Sequence, residues 1–183
     1  NDGGYIIIGN TASFGSGGRD IYLIKTDENG NEQWFSTFGG INQEDGYSIQ
    51  QTNDGGYIIC GRTSSLSING SMNAYVIKID ENGNEQWFSV FGGTSTYDGL
   101  SIQQTNDGGY VFCGRGYFYK NGSWNPDVFL IKINEFGNEQ WTQNYGGVNT
   151  DAGYSVKQAA GGGYIIVGTT ESFGNGDYDV YLI

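Results

Sequence analysis

Short apolar runs alternate with turns rich in Gly and Asn along the whole chain, and the second copy of the pattern shows it most clearly. Residues 47–52 run into an AsnAspGlyGly turn, and residues 57–60 leave it as an unbroken apolar stretch. Asn, Asp and Gly tolerate the positive φ that tight hairpins require, so the two runs predict an antiparallel pair. After a variable loop, residues 74–80 predict a third strand, and GluAsnGlyAsn turns the chain into a fourth over residues 86–91. Residues 6–8, 75–77 and 129–131 are apolar on both faces, which predicts sheets covered on both sides.

The pattern repeats. AsnAspGlyGlyTyr begins at Asn1, Asn53 and Asn106 and returns as AlaGlyGlyGlyTyr from Ala160, while AsnGluGlnTrp closes at Trp34, Trp87 and Trp141, 53 and 54 residues apart. The units run approximately over 1–42, 43–95, 96–149 and 150–183 of one continuous segment. Four antiparallel strands per unit, double coverage and this period predict an all-β fold, a β-propeller of four-stranded blades with about 3.5 blades in this chain. The strands fall as three, four, four and three, since the chain opens at a first hairpin turn and stops inside a third strand. The expectation is therefore an excerpt of a larger propeller, with its ends completed by the remaining blades of a parent chain or by another copy.

Composition narrows the function. Twenty acidic against eight basic residues give a net charge of −12, which repels a phosphate backbone, so nucleic acid is not expected as a partner. No apolar run approaches the ~20 residues that span a bilayer, so direct membrane insertion is not expected. The first residue already lies inside a repeat, so no signal peptide is visible and a processed or excerpted N-terminus is expected. Histidine is absent, which removes the commonest general base and metal ligand. Cys60 and Cys113 occupy one position of the unit, where other copies carry Ile8 and Val167; buried free thiols are the expectation, and a disulfide between neighbouring units the alternative.

The run LeuIleLysThrAspGluAsnGlyAsnGluGlnTrp ending at Trp34, followed by PheGlyGly and AspGlyTyrSer, resembles the SBBP-like repeats of secreted bacterial and archaeal β-propeller proteins. More distantly it resembles the tryptophan-docking blades of quinoprotein propellers, where an Asp, a Gly and a Trp are similarly spaced. The first resemblance implies an extracellular or cell-surface protein, a ring of seven blades, and a non-enzymatic role as scaffold, adhesion or binding module. The alternative is a carbohydrate-active or quinoprotein-like enzyme with its site on the loop face. A quinoprotein would need inward basic and polar groups and a metal, whereas the repeated positions here are turn and packing residues, so no catalytic residue and no cofactor is expected.

Candidate sites follow from comparing copies. AspGluAsnGlyAsn at 27–31 and 80–84 begins as calcium loops begin, but the third copy places Asn134 and Phe136 in two ligand slots and keeps only the glycine, as a hairpin requires. Structural calcium is thus not favoured there. Trp34, Trp87 and Trp141 are expected to pack between units, and Lys25, Lys78 and Lys132 to pair with carboxylates. Glu44, Asp45, Asp98 and Asp151 lie where units join and are expected in solvated loops, with a divalent cation bound between units as the alternative, for which Asp45, Asp98 and Asp151 are the named candidates. The connection between the second and third strands varies most (10–19, 62–73, 115–126, 169–178) and should share one face with the connections between units. In the third copy it carries Tyr117, Phe118, Tyr119 and Trp124, expected either as a binding surface for protein or glycan or as a loop that packs its own rings. Two sequons, at Asn69 and Asn121, fall in the same connection and are candidate N-glycosylation sites.

Overall fold

A computed structural model describes residues 3–67, 70–120 and 122–183. The described residues form fourteen strands and no helix, arranged as four antiparallel sheets. The first contains β1 (Ile6–Thr11), β2 (Asp20–Thr26) and β3 (Glu32–Phe38). The second contains β4 (Glu44–Gln51), β5 (Tyr57–Thr63), β6 (Asn73–Ile79) and β7 (Glu85–Phe91). The third contains β8 (Tyr97–Gln104), β9 (Tyr110–Lys120), β10 (Ser123–Ile133) and β11 (Glu139–Tyr145), and the fourth β12 (Asp151–Gln158), β13 (Tyr164–Thr170) and β14 (Asp179–Leu182). Each strand pairs with its neighbour in sequence, so every sheet is a simple meander.

The tight turns form for local reasons. In the β4–β5 turn, Thr52 N–H donates to Gly56 O and Gly55 N–H to Thr52 O, while Asp54 accepts from Gly56 N–H. In the β2–β3 turn, Asp27 Oδ1 accepts from the N–H groups of Asn29 and Asn31. Asn134 Oδ1 does the same for Phe136 and Asn138, which explains why Asp and Asn interchange at this slot: the turn needs one acceptor oxygen and no charge.

Each first strand opposes a second strand through a Gly–Gly pair: Gly46 with Gly61, Gly99 with Gly114, Gly153 with Gly168, with a bulge immediately beyond. A Cβ on Gly114 would stand 1.8 Å from the carbonyl oxygen of Asp98, so no other residue fits there without separating the strands.

The sheets stack in chain order, and the core is divided among the three interfaces. Ile21, Leu23 and Phe38 of the first sheet meet Ile59, Tyr75 and Ile77 of the second. Ile58, Cys60 and Val76 of the second meet Phe112, Phe129 and Ile131 of the third. Val111, Cys113 and Leu130 meet Val156 and Ile166 of the fourth. Every residue of β6 is buried, as a strand covered on both faces should be. The expectation for residues 6–8 does not hold in the same way: Ile7 is half exposed, because it points to the face of the first sheet that no other described sheet covers. The fourth sheet leaves Val180 and Leu182 exposed on its own outer face.

The three first strands β4, β8 and β12 are neighbours, yet they do not pair as a sheet. Their backbone amides are met by side chains of the adjacent unit instead: Gln104 N–H donates to Gln50 Oε1 at 2.7 Å, Gln158 N–H to Gln103 Oε1 at 2.9 Å, and Val156 N–H to Ser101 Oγ. The repeated SerIleGlnGln run is therefore what closes these edges without merging the sheets.

The architectural residues sit as the copies suggested. Trp34, Trp87 and Trp141 pack their rings against Tyr57, Tyr110 and Tyr164 of the following sheet, at 6.2, 5.9 and 5.7 Å between centroids. Lys78 and Lys132 are buried and pair with Asp54 and Asp107. Both cysteines are buried and free; Cys60 Sγ approaches Gly99 O and Cys113 Sγ approaches Gly153 O, each across a different interface. Burial pushes the Cys113 thiol up to about 12, so neither nucleophilic nor redox chemistry is favoured there.

Asp107 gives a pH test of the turn–lysine pairing. The Thr105 hydroxyl, with Lys132 and the Gly109 N–H assisting against the cost of desolvation, holds its carboxyl at about 2 from an ordinary 3.8. A depressed carboxyl stabilises the fold above its unfolded value and stops doing so as pH falls through its folded one. Asp107→Asn should therefore lower the melting midpoint slightly at pH 6 and converge on wild type as pH falls below about 2; an unchanged difference over that range, or none at pH 6, would show that the ionised pair contributes nothing.

Candidate functional site

The variable connection of the third unit is not a loop. Residues 115–120 and 123–126 continue β9 and β10, four residues longer than β5, into a projecting hairpin with Trp124 directly opposite Tyr119 and Pro126 opposite Tyr117. The side chains of a strand alternate, which sorts the predicted cluster into two sets. Tyr119 and Trp124 are 62% and 57% exposed, with ring centroids 5.4 Å apart. Tyr117 lies on their side, and with Trp124, Thr94, Ser95 and Thr96 it lines a shallow groove. Phe118 points the other way, 5.7 Å from Tyr97 and beneath the Lys120 ammonium, so it packs and is not part of the exposed surface. Asn69 and Asn121 lie outside the described residues.

Both kinds of connection do meet at one end of the sheets. Ser64 N–H donates to Gln43 O, Tyr117 N–H to Thr96 O and Glu171 N–H to Thr150 O, each joining the β-strand connection to the one between units.

The acidic residues at the unit junctions are not in solvated loops. Glu44, Asp45, Asp98 and Asp151 begin or join strands and are buried. Asp45 and Asp98 belong to a row of alternating charges that crosses three sheets. Arg19 reaches Asp45 at 2.7 Å, Arg62 reaches both Asp45 at 2.8 Å and Asp98 at 3.1 Å, and Arg115 reaches Asp98 at 2.8 Å. Their oxygens are thus committed to guanidinium groups. Sequence reasoning passed over these arginines, although Arg62 and Arg115 both follow the Gly of the Gly–Gly pair. In the fourth unit Ala152 and Thr169 replace the Asp and the Arg together, and the row ends.

A second set of carboxylates was missed altogether. Asp20, Asn73 and Asp179 open the third strand of their units, and Asp127 stands at the same repeat position inside the longer β10. Asp20, Asn73 and Asp127 each meet the residue that opens the next sheet, in front of a repeated glycine. A Cβ on Gly39 would stand 1.9 Å from Asp20 Oδ1 and 2.6 Å from Glu44 Oε2; on Gly146 it would meet Asp127 Oδ1 and Asp151 Oδ2; on Gly92 it would meet Asn73 and Tyr97. The fixed Asp or Asn one residue before each apolar third strand was the available signal, and polar letters at strand starts are easily read as turn residues. Burial pushes the Glu44 carboxyl up, but hydrogen bonds from Thr63, Ser65 and Gly40 outweigh it and hold the group below its usual range. Asp127 is raised by burial despite its Lys120 partner, with Asp151 adding to the rise.

The sequence matches no protein-family model and no curated protein. Among the described residues no helix is long and apolar enough to cross a membrane.

Proposed function

We propose that the four sheets are successive blades of a β-propeller and that the chain is a non-enzymatic binding module, with the third-unit hairpin as its recognition surface for a glycan. The observation that carries this reading is the Tyr119–Trp124 ring pair, exposed beside the groove that Thr94, Ser95 and Thr96 border with Trp124. Exposed rings supply stacking area for the apolar face of a sugar, and neighbouring hydroxyls supply directional hydrogen bonds. The propeller reading is supported by the neighbouring first strands β4, β8 and β12 and by the end-to-end succession of sheet interfaces. On that reading, Ile7 and Phe35 at one end and Val180 and Leu182 at the other are covered by further blades, of the same chain or of another copy. An extracellular or cell-surface setting follows from the SBBP-like resemblance. Among the described residues that line the groove none is a carboxylate, which supports the binding reading over glycoside cleavage.

Titration with a panel of neutral oligosaccharides, followed by tryptophan fluorescence, tests the site. Trp124→Ala and Tyr119→Ala should each weaken binding at least about fivefold, since a stacked ring contributes on the order of 1 kcal/mol or more, while the melting midpoint stays within about 2 °C of wild type. Absence of saturable binding to any sugar would sink the glycan reading, and capture of a protein ligand lost in the same variants would replace it.

A further inference from the structure

We infer that Asp20 and Glu44 form a binding site for a divalent cation of the calcium type at the junction of the first and second sheets. The three junctions present the same position with three different charge balances. Between the second and third sheets it holds Asn73 and Tyr97, neutral groups that need no counter-ion. Between the third and fourth it holds Asp127 and Asp151, and Lys120 reaches across from the long hairpin to pair with Asp127. Between the first and second it holds Asp20 and Glu44, each about 1% exposed, and among the described residues neither is paired with a lysine or arginine. The chain thus supplies a cation of its own to one acidic pair and none to the other.

The free valence is directional as well as electrostatic. Asp20 Oδ2 accepts from Ser16 N–H, but its Oδ1 is buried with no hydrogen-bond partner. That oxygen and Glu44 Oε2 converge in front of Gly39, 1.9 and 2.6 Å from the point where a Cβ would stand, and so lie no more than about 4.5 Å apart. Calcium bonds oxygen at about 2.4 Å, so one ion can touch both. Glu44 is held in place by Thr63 Oγ1 at 2.7 Å and Gly40 N–H at 2.7 Å, and it also borders a partly open cavity of 240 Å³ lined by Thr37, Gly40, Ser65 and Glu85. Water from that cavity can complete the six to eight oxygens that calcium takes. Two buried like charges this close are otherwise unfavourable, and a doubly charged ion removes the repulsion.

The test is the melting midpoint of chelator-stripped protein with and without 5 mM Ca²⁺, together with calorimetric Ca²⁺ titration. Wild type should bind one ion and melt roughly 3–5 °C higher with Ca²⁺. Asp20→Asn, which copies the residue the chain itself uses at Asn73, should lose both the binding and the shift. Without metal it should melt at or above wild type, because one of the two facing charges is gone. Asp127→Asn should keep the Ca²⁺ response. An unchanged wild-type midpoint, a shift retained in Asp20→Asn, or a response lost in Asp127→Asn instead overturns the assignment.

Discussion

Phe112→Ala should destabilise the protein by about 4 kcal/mol and lower its melting midpoint by roughly 10 °C, the effect of deleting a fully buried ring that cannot be replaced by collapse. Phe112 is 0% exposed at the interface of the second and third sheets, with its ring 5.1 Å from Phe91 and 5.7 Å from Phe129. Phe129 continues to Tyr97 at 5.2 Å and Tyr97 to Phe118 at 5.7 Å, so one line of rings runs from this interface to the base of the recognition hairpin. In stacked sheets each interface is a separate term in the stability, and this one joins the two halves of the molecule. Urea unfolding of the variant should therefore show a shallower transition as well as an earlier midpoint. Phe112→Ile offers the control, since Ile59 and Ile166 fill the same slot in other units; it should cost about 1.5 kcal/mol or less. A loss below about 1 kcal/mol for the alanine variant would mean that the sheets do not depend on this ring.

That such a residue could be named owes much to the repeat. The period, the turn chemistry and the unbroken apolar runs made all fourteen strands and the four-sheet grouping legible, because hairpins are local and their signals lie within a few residues. What was not legible was long-range polar pairing. Glu44 and Asp45 read as loop residues because polarity near a turn usually means solvent, but they begin β4 and meet Thr63 and Arg62. Arg62 and Asp98 are 36 residues apart, and nothing local tells a carboxylate that a guanidinium from the previous sheet will reach it. The third-unit hairpin was misread as a loop for a different reason. Its Tyr, Phe and Trp residues are strand formers and could have been assigned to a continued ladder, but comparison with shorter connections in the other copies favoured a loop. Once they form a ladder, alternation removes Phe118 from the exposed surface and leaves Tyr119 and Trp124 on it.

Arg62→Ala should cost about 3 kcal/mol, more than either neighbouring arginine, because Arg62 alone in the row holds two carboxylates. Asp45 would keep only Arg19 and Asp98 only Arg115, both considerably more exposed than Arg62 and so weaker partners for buried oxygens. The loss also removes a guanidinium lying 5.8 Å from the Tyr47 ring. Lysine cannot repair it: one ammonium is a point charge and cannot span two carboxylates as the planar fork does, so Arg62→Lys should recover less than half of the stability. The fourth unit shows what does repair it. There Ala152 and Thr169 replace the acid and the base together, and the strand pair persists without either. Combining Arg62→Thr with Asp45→Ala should therefore lose less than the sum of the two single changes, with a coupling energy on the order of 1–2 kcal/mol in a double-mutant cycle. Strict additivity would show that the row is a set of independent surface pairs, and the acidic residues at the unit junctions would then contribute no coupled stability to the stacking of the sheets.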